Sequence, residues 1–359
     1  MLGIIYQSFF KRLPVRPVRA DSYLHLLSDT EVKTLRNLHW WLISCAALCS
    51  VIGFLLYFLP LYAFPDWFCK TNLQIAGQTY SLPLRETVWG IWLMIIEITI
   101  LVLLNLYGVH ETAVITGYIT PTTKSTHTAF LLDIGLGGQK TKKKDYGINP
   151  FQGIPAWQLF LYNTFMQLKG WLGNKVLRLI AQRLLGRYAI RAVLDFIGMP
   201  IYMAINAYSA WVVLHEAKMI IMGQTLIDLT IKQFPTAINP SEKDLVYDAL
   251  QYIAISKRDF HINHLYLARC TLAHFQIPEE ENHLLPANFF EKLSAAAPTT
   301  RRYLLSLIKL GYILDGHISL RERKAILELN KQQLLDDTPE AIRVYAHRFV
   351  AGKGLDNWI

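Results

Sequence analysis

Residues 38–59 read LHWWLISCAALCSVIGFLLYFL, and this stretch decides the fold class. Its 22 residues contain no Asp, Glu, Lys or Arg. As a helix rising about 1.5 Å per residue it covers roughly 33 Å, enough for a hydrocarbon core of about 30 Å. Trp40 and Trp41 stand at one end, and Tyr57, Tyr62 and Trp67 at or beyond the other. Aromatic rings at both ends suit the headgroup depth of a bilayer. A cleavable leader would begin earlier and carry a shorter apolar run. A second window follows at 87–107, TVWGIWLMIIEITILVLLNLY, with Glu97 at its centre and Asn105 near its end. The two windows predict a transmembrane hairpin over 38–108, preceded by an N-terminal segment, 1–37.

Charge around the hairpin gives its orientation. Residues 1–37 carry Lys11, Arg12, Arg16, Arg19, Lys33 and Arg36, whereas 62–86 are nearly neutral. Residues 109–192 hold eleven basic side chains against Glu111, Asp133 and Asp145. Basic loops stay on the cytoplasmic side, so the N-terminus and the chain after 109 are expected inside. The same distribution accounts for the net charge of +9 without invoking nucleic acid. Four scattered cysteines show no metal-ligand or disulfide spacing.

Glu97 is costly inside a membrane and must face protein or water. It reads either as part of a proton or solute path or as a protonated carboxyl bonded to a neighbouring helix. No second intramembrane charge accompanies it, which favours packing. Residues 109–153, rich in Gly and Thr, predict a basic loop, with Lys140, Lys142, Lys143 and Lys144 set against anionic headgroups. The run Gly135 to Thr141 departs from a phosphate loop because Gln139 stands where Gly must precede the lysine.

Residues 154–223 predict amphipathic and membrane-associated helices. Trp157, Leu161, Phe165, Leu168 and Leu172 form one apolar face. Polar residues such as Asp195, Asn206, His215 and Lys218 dilute 192–223, which reads as a long buried or interfacial helix or a re-entrant pair. A crossing there, counted onto a two-helix hairpin, would carry the C-terminal domain outside. His215-Glu216 lacks the second histidine of a zinc-protease motif, since position 219 is Met.

Residues 224–359 have the composition of a soluble helical domain. Asp259-Phe260-His261-Ile262-Asn263 aligns with Asp315-Gly316-His317-Ile318-Ser319 at an offset of 56, each between apolar helical patterns. Gly316 suits a left-handed helix end, and Ser319 with Glu322 has capping-box spacing. The stretch Tyr312 to Glu322 resembles the motif of the TerB-like (tellurite-resistance B) domain family, over about 235–350. That resemblance implies an all-α domain with an internal repeat, at the bacterial inner membrane, in stress or defence complexes. It also implies a divalent metal held by acidic residues, here Asp315 and Glu322. The first repeat has Phe260 in place of Gly and Tyr266 in place of Glu, so capping is the favoured role for these carboxylates. His261 and His264 lie close enough on a turn to share a metal, but two imidazoles make a weak site. The N-terminal part is similar to an uncharacterised family of bacterial membrane proteins, through Glu97, Tyr107 and His110.

The fold class expected is therefore all-α, and no catalytic constellation emerges. The function expected is a non-enzymatic inner-membrane scaffold or sensor, in contact with membrane lipid and presenting a cytoplasmic TerB-like domain to a protein partner. The rival is a subunit of a transport complex, using Glu97 and Asn105. A lipid-handling enzyme built on the basic region is a third reading.

Overall fold

The computed structural model describes residues 2–15, 27–68, 71–75, 78–136, 148, 152, 191–235, 238–258, 261–280, 283–353 and 355. Lys140, Lys142, Lys143, Lys144, the amphipathic stretch 154–190 and Asp259-Phe260 lie outside the described residues. The described fold is all-α except for one hairpin. In chain order come α1 (Leu2–Arg12), α2 (Asp29–Ala63), β1 (Thr71–Ile75) paired antiparallel with β2 (Gln78–Leu82), α3 (Leu84–Ile115) and α4 (Lys124–Gly135). Then follow α5 (Arg191–Ile231), α6 (Pro240–Lys257), α7 (Ile262–His274), α8 (Phe289–Ala295), α9 (Pro298–Ile313), α10 (Leu320–Lys331) and α11 (Pro339–Ala351).

The two apolar windows lie within helices α2 and α3, both long and apolar enough to cross a membrane. Each exceeds its window. α2 starts at Asp29 because Ser28 and Glu31 form a reciprocal capping box there. α3 continues to Ile115, so 109–115 is helix rather than the start of a loop. α4 is likewise helical where no period predicted it. Its Thr128, like Thr112 near the end of α3, turns its hydroxyl back onto the carbonyl four residues earlier, Lys124 and Gly108 respectively. Burial of Leu131, Leu132 and Ile134 against Leu106 and Val109 then holds α4 on α3.

α5 differs most from expectation. It is one continuous helix of 41 residues, about 60 Å long, and not a re-entrant pair. Pro200 lies within it. It packs along both α2 and α3, and two contact levels give its direction. At one level Asn206 meets Ser50 and Glu97. At the other, Leu42 and Leu214 both close on Gly108. Between these levels α2 runs from 50 back to 42, while α3 and α5 run forward, from 97 to 108 and from 206 to 214. α5 is therefore parallel to α3 and antiparallel to α2. Its C-terminal half lies beside the start of α2 and the end of α3, and the C-terminal domain is at that end.

The C-terminal half of α5 then enters that domain. Met219, Met222, Leu226, Ile227 and Ile231 join the core formed by α6 to α11. Ala217, Ile220 and Ile221 face the smaller core made with α1, α3 and α4. The sequence boundary drawn at 223/224 thus falls inside one helix. Two helix–turn–helix pairs occur where the repeat is expected: α6 ends at Lys257 and α9 at Ile313, 56 positions apart, whereas α7 begins at Ile262 and α10 at Leu320, 58 apart. α7 and α10 follow their respective turns.

Candidate functional site

Two places hold the residues singled out by the sequence. The first lies midway along the α2–α3–α5 bundle. Asn206 donates its side-chain amide to the Ser50 hydroxyl and to Glu97 Oε1, at 2.7 Å in each case. One amide thus links all three helices through a carboxylate that would otherwise be isolated among apolar side chains. Asn105, two turns further along α3, is half-buried and takes no part in this link. Around it the bundle turns large apolar side chains outward, including Leu55, Leu59, Ile91, Trp92 and Ile95. None of the apolar window of α3 and only 17% of that of α2 is buried within the chain. The core helix of a water-soluble domain would bury most of its length.

The second place is the turn of the second repeat. Gly316 is left-handed, at φ +79°, and Ser319 and Glu322 form the capping box. Glu322 Oε2 accepts from the Ser319 backbone N–H at 2.7 Å. Its other oxygen pairs at 2.5 Å with Lys257 Nζ, which also meets Asp315 Oδ1 at 2.6 Å and the Tyr312 carbonyl at 3.1 Å. Asp315 and Glu322 therefore do converge on one cationic point, and the Lys257 ammonium occupies it. Lys257 is 2% exposed and Glu322 1%, so solvent screens this pair little. Burial alone would raise the Asp315 carboxyl, but Lys257 beside it holds it below its ordinary value. His264 is pushed down to about 3, by burial first and by Lys257 second, and is neutral. Its Nε2 lies 2.8 Å from the Gly311 carbonyl, whereas His261 Nε2 lies 2.8 Å from Glu216 Oε1. The two histidines serve different partners. Among the described residues no group of three or more His, Cys, Asp or Glu is arranged to hold a metal ion.

Lys257 and Asn206 are the residues that sequence reasoning missed. Asn206 was visible as a polar residue diluting an apolar stretch, but its partner lies 109 positions away. Lys257 was hidden because its partners belong to the other repeat.

Between the two places, α5 is tied to its neighbours by polar contacts. Lys218 Nζ donates to the Val350 carbonyl at the end of α11, at 2.7 Å. A lysine there satisfies a terminal helix carbonyl and offsets the helix dipole. Tyr118 donates to Gln224 at 2.5 Å, and Tyr266 to Asp228 at 3.0 Å. His110 is buried, with its ring edge-on to Phe10 at 5.3 Å, and joins α1 to α3. These contacts align and fix helices. No family model, curated protein or solved structure matches the chain.

Proposed function

We propose that the protein is a membrane-anchored scaffold or sensor whose C-terminal helical domain is coupled rigidly to its membrane part and presented to a protein partner. The observation that carries this reading is α5, a single helix shared between the apolar bundle and the core of the C-terminal domain. A tether would need only a flexible linker, whereas a shared helix transmits a tilt or displacement from one end to the other. The outward-facing apolar side chains of α2 and α3 support a bilayer as their surroundings.

In this reading α2, α3 and the first half of α5 all cross. The basic N-terminal segment puts the start of α2 in the cytoplasm, in the cytoplasmic membrane of a bacterium. The direction of α5 supports the same side for the C-terminal domain, so in this reading a crossing by α5 does not export it. The TerB-like resemblance of 235–350 supports a role in assembly with other proteins at that membrane. Glu97 serves here as an interhelical acceptor, which weighs against a transport path through this chain. As a transport subunit, the protein would instead need Glu97 to exchange protons or contact solute.

Photo-crosslinking residues placed at Leu320 and Val344, which are 77% and 56% exposed, separate the readings. In native membranes the scaffold predicts discrete higher-mass adducts that persist in the Glu97→Gln variant. Absence of adducts at both positions would contradict a partner on this face. Loss of solute flux in Glu97→Gln with adducts intact would favour transport.

A further inference from the structure

Pro200, Ala204, Tyr208, Trp211, His215 and Lys218 follow one another along α5 at three- and four-residue steps, which places them in a single stripe. At its far end Pro200, Ala204, Ile205 and Tyr208 line an open apolar groove of about 460 Å³. From there the rings stack in a column: Tyr208 on Trp211 at 5.9 Å, then Trp211 on His215 at 5.2 Å with planes 14° apart.

The column ends among basic groups. Lys218 gives one proton to the Val350 carbonyl and keeps two more for another acceptor. His39 of α2 donates Nε2–H to the Thr112 hydroxyl at 3.1 Å, because that hydroxyl gives its own hydrogen to the Gly108 carbonyl. Glu216, the nearest acid in sequence, is engaged by His261. Depth fits as well. Asn206 marks the middle of the bundle, and His215 lies nine residues beyond it, about 13 Å along the helix, close to half of a hydrocarbon core of about 30 Å.

We propose that this stripe seats one anionic phospholipid from the leaflet on the side of the C-terminal domain. Its phosphate lies at Lys218 and His215, and an acyl chain runs along Trp211 and Tyr208 to the groove at Ala204. Basic pockets between membrane helices hold anionic headgroups in this way. The site rests on the membrane reading above. It makes the orientation of α5, and through it the C-terminal domain, sensitive to lipid charge.

The test uses the full chain in neutral detergent, with adducts counted by native mass spectrometry. The ligands are phosphatidylglycerol, phosphatidylcholine and glycerol 3-phosphate. The expected result is one phosphatidylglycerol bound about tenfold more tightly than phosphatidylcholine, with no adduct of glycerol phosphate at the same concentration. His215→Gln weakens that adduct about fivefold, and Lys218→Arg retains it. If Lys218→Gln fails to fold because Val350 loses its cap, the other two variants decide. Equal binding of the two lipids, or full binding by His215→Gln, overturns the site while leaving the membrane reading intact. Glycerol phosphate binding as tightly as phosphatidylglycerol means a soluble phosphate ligand and overturns the lipid. A chain that stays monodisperse after detergent removal overturns both readings together.

Discussion

At the scale of single residues, Lys257 is the most consequential side chain in the helical domain. It ends the first helix of one repeat and neutralises two carboxylates at the turn of the other. Removing it leaves Glu322 buried without a cation and Asp315 with only the exposed His317 imidazole, 3.4 Å from its Oδ2. Lys257→Met is predicted to lose about 3–5 kcal/mol, the usual cost of breaking a buried ion pair from one side. Chemical unfolding in detergent measures this, and adding Asp315→Asn and Glu322→Gln should recover part of the loss. His283 makes a second prediction. Its Nε2 lies 2.8 Å from Asp248 Oδ1 and its Nδ1 2.9 Å from Glu280 Oε2, so both nitrogens donate and the ring is an imidazolium. Burial opposes that charge, but the two bonds outweigh it and raise the pKa above the ordinary 6.5. The ring also stacks on Tyr247 at 4.5 Å, and Lys292 lies 3.8 Å from the other Asp248 oxygen. Because the folded pKa is raised, this stabilisation is complete below pH 6.5 and fades as pH rises through the folded value. Protection factors for hydrogen exchange at Glu280 and Leu285, corrected for the intrinsic rise of exchange with pH, should fall over that range, and His283→Gln should abolish that fall.

At the scale of helices, the bundle depends on one amide. Glu97→Gln retains an oxygen that can accept from Asn206, so stability is predicted to change little. Asn206→Leu removes both bonds and leaves Glu97 facing apolar neighbours. It should cost roughly 1–2 kcal/mol, the scale of interhelical hydrogen bonds in membranes. Unfolding in mixed detergents measures the pair, and a larger loss for Glu97→Gln than for Asn206→Leu would contradict the assignment of Asn206 as the donor. These helices also show what sequence can give. α2 and α3 were legible because apolar length is a local property. The repeat and the capping box at Ser319 were legible because turn chemistry is local too. α5 was not, because its two halves answer to different surroundings: Tyr202 and Trp211 face outward, while Met219 and Leu226 enter a domain core. No single period describes both. α4 escaped notice because a threonine-rich stretch reads as loop, whereas the Thr128 hydroxyl folds back on the Lys124 carbonyl within the helix.

At the scale of the molecule, the account turns on where the two ends of α5 lie. Its N-terminal end is with the β1–β2 hairpin end of the bundle and its C-terminal end with the helical domain, in a helix long enough to do both. Counting charges along the sequence predicts a side for the N-terminus but not the number of crossings, because the direction of α5 depends on contacts with Ser50, Glu97 and Gly108. The direct measurement is labelling of intact cells with a membrane-impermeant thiol reagent. The four native cysteines would be replaced and one reporter cysteine placed at position 75, 192 or 330. The account predicts labelling at 75 and 192, and at 330 only after the membrane is permeabilised. Labelling at 330 in intact cells, or protection of 192 alongside labelling at 75, would contradict it.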